Sequence, residues 1–239
     1  MTSTPSFNRE LAISVASEFI SQDTEEKGLP EAFAGICAYI SIDPISRISW
    51  RGGQNQIPSV FERDGLKILA GKYFEAFRRL EFVRKAGTVP DEMVTLILQE
   101  VYGYSVEEAE RVKIDHQRTM LAENCVGNLL ERYLDSVLRP HGWYWCCGSL
   151  VKSIDFILEE HQGVWFELQV KNRDNSENSS SSRVRQGTSI HKWFRSFSKK
   201  RDTNWDKLPS VMSGYGLSEA GFRHFVTEYI KKHRSHIDS

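Results

Sequence analysis

Asp155, Glu167, Gln169 and Lys171 are the residues of this 239-residue chain whose types and spacing could do chemistry. They lie on two short alternating segments, Ile154-Asp155-Phe156-Ile157-Leu158 and Val164-Trp165-Phe166-Glu167-Leu168-Gln169-Val170-Lys171, separated by Glu159-Glu160-His161-Gln162-Gly163. An acid, a second oxygen ligand and a lysine at this spacing suit metal-assisted hydrolysis of a phosphodiester. Magnesium takes hard oxygen ligands and keeps several waters, so a carboxylate or two plus a substrate phosphate suffices. The metal activates a bound water and polarises the phosphoryl oxygen, and a nearby lysine offsets the developing charge. The plainer reading is a solvated strand face carrying an Asp/Lys diagonal pair worth under ~1 kcal/mol.

Two strands in a hairpin would bring these residues together. Side chains alternate along a strand, so Phe166, Leu168 and Val170 share one face while Trp165, Glu167, Gln169 and Lys171 share the other. Directly opposed residues lie on the same face. The register that satisfies both strands sets Leu158 opposite Phe166, Phe156 opposite Leu168, Ile154 opposite Val170 and Asp155 opposite Gln169. A slip of one residue would set Asp155 against Leu168 or Val170 and scramble the faces. This register leaves His161-Gln162-Gly163 as a three-residue loop, with Gly163 where a left-handed residue is needed.

The elements around the hairpin follow from periodicity. Apolar residues Leu121, Cys125, Leu129, Tyr133 and Val137 recur at i+4, which predicts a helix over 118–138 that ends at Pro140 and Gly142. At 100° per residue, Glu123 projects within about 60° of the centre of that stripe and Glu131 about 140° from it, so Glu123 is the carboxylate expected to face inward. Amphipathic runs over 9–20, 31–40, 66–83 and 91–101 read as helices, and Ser105 with Glu108 has capping-box spacing. Residues 1–115 therefore read as a helical N-terminal region serving as scaffold, dimer surface or DNA contact. Residues 116–239 hold the chemistry. Trp143-Tyr144-Trp145-Cys146 is strand-like, 173–182 is polar and small throughout and reads as a loop, 189–199 as a helix, and 219–232 as another. In that helical reading Trp193 and Phe197 fall at i and i+4 and belong to the core.

Lys and Arg total 31 against 32 Asp and Glu, a formal net charge of −1, which taken alone argues against a nucleic-acid partner. The total hides an asymmetry. Residues 171–201 hold nine bases and two acids, a local +7 that leaves −8 for the rest. The residue types in this stretch are those that read duplex DNA. Arginine pairs with guanine and asparagine with adenine, and small serines approach phosphates closely. Arg183 and Arg185 flank one residue and would point to one side of an extended loop. Lys192 and Arg195 suit phosphates or a solvated face. The four cysteines lack zinc-ligand spacing, and adjacent Cys146 and Cys147 read as reduced strand residues. No window approaches a membrane span and the N-terminus lacks signal-peptide character, so a cytoplasmic protein is expected.

Helix, strand, Asp-bearing strand and a strand ending in acid-x-Lys resemble the core of the PD-(D/E)XK nucleases. The run from Glu167 through Asn178, continued by Ser179 to Arg185 and Gly187-Thr188, resembles type II restriction endonucleases of the SinI type. The resemblance implies a fold between α+β and α/β, a mixed central sheet flanked by helices, with the helical N-terminal region appended. It gives Asp155 the place of the metal-binding Asp and Lys171 that of the catalytic Lys. The position two before the lysine is Gln169, a poorer magnesium ligand than a carboxylate. Either Glu123 or Glu167 then completes the metal site.

The resemblance further implies a magnesium-dependent homodimer that cuts double-stranded DNA at a short near-palindromic site, GG(A/T)CC, leaving 5′-phosphates. DNA contacts are expected from Asn172, Arg173, Ser180, Ser181, Arg183, Arg185, Lys192 and Arg195, and a cognate DNA methyltransferase would protect the host. Two other readings share the core: a DNA-binding or regulatory relative that does not cleave, suggested by Gln169, and a repair or structure-specific nuclease.

Overall fold

The computed structural model describes residues 6–50, 56–80, 82, 89, 91–148, 150–174 and 189–234. Among them, seven α-helices surround a four-stranded mixed sheet, an α+β architecture. The helices are α1 (Arg9–Ser17), α2 (Leu29–Ile42), α3 (Pro44–Arg47), α4 (Arg63–Arg78), α5 (Glu92–Tyr102), α6 (Val106–Leu138) and α7 (Glu219–Lys232). The strands are β1 (Trp143–Trp145), β2 (Phe156–His161), β3 (Val164–Arg173) and β4 (His191–Ser196), in the order β1-β2-β3-β4. The first two pairings are antiparallel and β3 with β4 is parallel.

The hairpin takes the register its hydrophobic alternation demands: Phe156 opposite Leu168, Ile157 opposite Glu167 and Leu158 opposite Phe166. Its turn is tighter than expected. His161 pairs with Val164, and an irregularity between Glu159 and His161 absorbs the extra residue, so Gln162-Gly163 alone makes the turn. Gly163 has φ 78°, the left-handed conformation required there.

Residues 189–199 do not form a helix: 191–196 is strand β4, with Trp193 opposite Val170. The aromatic run pleats well against β3. Buried Trp193 donates Nε1–H to the Asn204 carbonyl at 3.0 Å, while Phe197 lies beyond the strand. The expected i, i+4 pairing of Trp193 with Phe197 is thus corrected.

Ser105 caps α6 through a reciprocal capping box with Glu108. The helix starting there and the one expected from 118 are a single 33-residue helix that passes residue 115 without a break. Its residues from Leu129 onward are buried on several sides, with Arg132 donating to the Phe77 and Arg79 carbonyls at 2.7 and 2.8 Å. Helix α2 is apolar nearly all round and is buried accordingly. It approaches β1 so closely that a Cβ at Gly35 would collide with the Tyr144 ring. Helix α7 closes the other side of α6, setting Phe222 and Phe225 against Tyr133. None of the helices among the described residues is long and apolar enough to cross a membrane.

Candidate active site

Asp155 lies one residue before β2, at the point where β1 and β3 both hold the chain. Its N–H donates to the Leu168 carbonyl at 2.9 Å and its carbonyl accepts from Cys146 N–H at 2.8 Å. The carboxylate Oδ2 accepts Val170 N–H at 2.7 Å, which fixes the side chain against β3. Two residues earlier, Ser153 has φ 59°, a left-handed conformation that costs roughly 1–2 kcal/mol outside glycine. That bend delivers Asp155 to the strand.

The carboxylate that joins it from α6 is Glu131. Trp145 donates Nε1–H to Glu131 Oε2 at 2.9 Å. Burial pushes the Glu131 carboxyl up to about 8, and the Asp155 charge pushes the same way. The Trp145 hydrogen bond and the Lys171 ammonium act against them. Glu131, Asp155 and Lys171 therefore share one electrostatic neighbourhood. The Cys146 thiol beside them is pushed up by its burial, then by Asp155, Cys147, Glu131 and Glu167. All four cysteines are free thiols.

Glu123, the helix carboxylate expected to face inward, is a surface residue. It is 53% exposed and pairs with Arg173 at 3.3 Å. The apolar stripe misleads because the first part of α6 is largely exposed, while from Leu129 onward the helix has buried residues on several sides. A carboxylate far from the centre of the stripe is still inside there. The available signal was the stretch Leu129-Leu130-Glu131-Arg132-Tyr133-Leu134, too apolar for a helix with a solvated face.

Glu167 is held by a different neighbour, also absent from the sequence reading. Tyr39 on α2 donates its hydroxyl to Glu167 Oε1 at 2.6 Å, and Ser189 Oγ lies 3.1 Å from Oε2. Gln169 is only 4% exposed, and its buried Oε1 has no hydrogen-bond partner among the described residues. Continuing the hairpin register by one residue sets it opposite Asp155.

Among the described residues no group of three or more His, Cys, Asp or Glu is arranged to hold a cation by itself. Magnesium needs no such group, since one or two carboxylates plus substrate phosphates commonly hold it. Asp155 and Glu131, with an unpartnered amide oxygen at Gln169, fit that requirement. A cavity of about 780 Å³ shares Trp145 with this cluster but opens between α6, α7 and the start of α2. Its arginines are already committed: Arg139 to Asp135 and the Glu25 carbonyl, Arg132 to backbone carbonyls.

Of the expected DNA contacts, Ser180, Ser181, Arg183 and Arg185 lie outside the described residues. Asn172 and Arg173 end β3, with Asn172 Oδ1 accepting from Arg195 Nε at 3.0 Å. Arg195 is turned into the protein. It makes a two-pronged ion pair with Glu219 at 2.8 and 2.9 Å, and its side chain is 14% exposed. Lys192 is exposed on β4.

A model of the SinI restriction endonuclease family matches residues 12–232. The type II restriction enzyme Eco47I of Escherichia coli is 51% identical over 146 residues, and the type II restriction enzyme SinI of Salmonella infantis 49% identical over 146 residues. Each match covers 61% of this chain and 64% of the relative, so the aligned stretch spans less than two thirds of either enzyme. With nearly its whole length matched by the family model, the chain belongs to the SinI restriction endonuclease family.

Proposed function

We propose that this protein is a magnesium-dependent type II restriction endonuclease with a PD-(D/E)XK core. In this reading it acts on double-stranded DNA as a homodimer, hydrolyses one phosphodiester in each strand of a short near-palindromic site, and leaves 5′-phosphates. GG(A/T)CC is the site implied by the family resemblance, and a cognate methyltransferase would protect the host's copies. What supports the reading is that the Asp155 and Lys171 charges both act on the Glu131 carboxyl, in a chain of this family.

Asp155 and Glu131 would hold the ion, with Gln169 Oε1 a neutral third donor. A divalent cation there supplies Lewis acidity toward the phosphoryl oxygen and lowers the pKa of water. The residues of the chain do the rest. Val170 N–H orients Asp155, and Trp145 orients Glu131. The Lys171 ammonium offsets negative charge that develops on the phosphate as the bond breaks. Glu167, tied to Tyr39, is better suited to bracing β3 than to leaving it for a metal.

Plasmid digestion tests the reading. With magnesium, the wild-type chain should convert plasmid DNA to discrete fragments. Asp155→Ala and Lys171→Ala should abolish cutting while a gel shift of the same DNA persists. A smear, or fragments unaffected by either substitution, would sink the proposal. Intact DNA shifted by the wild type in magnesium would favour the non-cleaving relative.

A further inference from the structure

Helix α5 and the first four turns of α6 form a hairpin that the other described residues leave largely uncovered. Between Val106 and Asn128, only Ala109 and Lys113 are buried, and α5 has no buried residue. Yet α5 reads Glu-Met-Val-Thr-Leu-Ile-Leu-Gln-Glu-Val-Tyr, apolar on almost every side. Its attachment to α6 is polar: the buried Lys113 Nζ bonds Thr95 Oγ1 at 2.6 Å and Glu110 Oε1 at 2.7 Å. Thr95 Oγ1 also donates to Glu110 at 2.8 Å. With Thr95 turned inward, Met93, Leu96, Ile97 and Val101 face outward, 48% to 68% exposed. Ile114 and Met120 continue the surface on α6 at 45% and 52%.

A helix that is apolar all round belongs in a core, and an 11-residue helix is too short to be stable alone. Met93, Leu96, Ile97, Val101, Ile114 and Met120 stay 45% to 68% exposed, more apolar surface than the scattered single residues of an ordinary monomer and of the kind that a stable interface, at about 800 Å² per partner, covers. Charge narrows the occupant. Residues 91–120 hold seven acids and three bases, a net −4 that repels both duplex DNA and an anionic membrane. A second arm carries the same −4, a repulsion that salt screens, but it brings a matching apolar face that neither duplex DNA nor a lipid headgroup offers, and two such helical hairpins face to face make a four-helix bundle, a closed two-fold solution.

The geometry points to the α5–α6 arm as the dimer interface of this protein, its occupant the same arm of a second copy. The proposal rests on the nuclease reading only for why two copies are needed, one site for each strand. The arm is the outer part of the helix that carries Glu131, so pairing of arms would also set the distance between the two sites.

Sedimentation of the full-length chain tests it. The wild type should sediment at twice the 27.5 kDa chain mass at micromolar concentration, with little weakening as salt rises. The double substitution Leu96→Glu with Ile97→Glu should raise the dissociation midpoint at least tenfold and leave the circular dichroism unchanged. Ile68→Glu, at an exposed apolar position on α4, should leave the dimer intact. Hydrogen exchange of the wild type is an independent measurement: α5 amides should become protected as protein concentration rises, with no change in α4. A monomeric wild type, a dimer indifferent to the α5 substitutions, or a monomer whose α5 is protected only by zwitterionic lipid vesicles would overturn the inference. A monomer that still cuts DNA overturns it and leaves the cleavage chemistry of the nuclease reading standing without its homodimer, whereas a dimer that does not cut does the reverse.

Discussion

Glu131 and Glu123 lie eight residues apart on one helix, and their surroundings separate their roles. Glu131→Gln should slow cleavage on the order of 100-fold or more, because a preorganised charge at the reacting centre is lost. Glu123→Gln should leave the rate within about twofold, since its exposed pair with Arg173 is worth under ~1 kcal/mol. Single-turnover cleavage at saturating magnesium compares the two, and equal losses would return Glu123 to the site. Glu131 also predicts a stability trend in the absence of metal. Its folded-state carboxyl is raised from 4.5 to about 8, so the folded chain keeps a proton that the unfolded chain releases in this window. Stability should therefore fall as pH rises from about 4.5 to about 8, by at most about 1.4 kcal/mol per pH unit. Urea unfolding in chelator at several pH values measures the slope. Glu131→Gln should flatten it, and an unchanged slope would mean that another group carries the proton.

At the scale of elements, the close approach of α2 to β1 supports the strand face that holds Glu167. Gly35→Ala drives a methyl into the Tyr144 ring and should cost roughly 1–3 kcal/mol in a denaturation curve. Pairing it with Tyr144→Ala should recover part of that loss, and if it does not, the ring is not the obstruction. The hairpin was legible because a period of two admits one register when one face is apolar. The bounds of α7 and the capping box at Ser105 were equally local signals. Strand β4 was not legible, since Trp193 and Phe197 fit a helical spacing as well as a pleated one. Only its pairing with β3, a long-range contact, decides between them. Tyr39 was invisible for the same reason: it meets Glu167 from 128 residues away. Of the proposed site, Asp155 and Lys171 were legible as candidates from their spacing on strands, whereas Glu131 depended on how many sides of α6 are covered.

For the whole molecule, the near-zero net charge is a balance of opposed regions. A stretch of +7 runs in sequence from residue 171 to 201, while the α5–α6 arm is acidic. DNA affinity should therefore fall steeply with salt despite a pI of about 6.7, with a log–log slope near −5 for about six phosphate contacts. Fluorescence anisotropy across a salt series gives that slope, and a flat response would remove the basic stretch from the interface. The central claim is that the cluster of Asp155, Glu131 and Lys171 makes this chain a site-specific cutter of both DNA strands. Sequencing the ends of a magnesium digest of plasmid DNA measures it most directly. Every end should fall within one short near-palindromic sequence, at symmetry-related positions on the two strands and with a 5′-phosphate; ends scattered over unrelated sequences, or confined to nicks and branches, would contradict it.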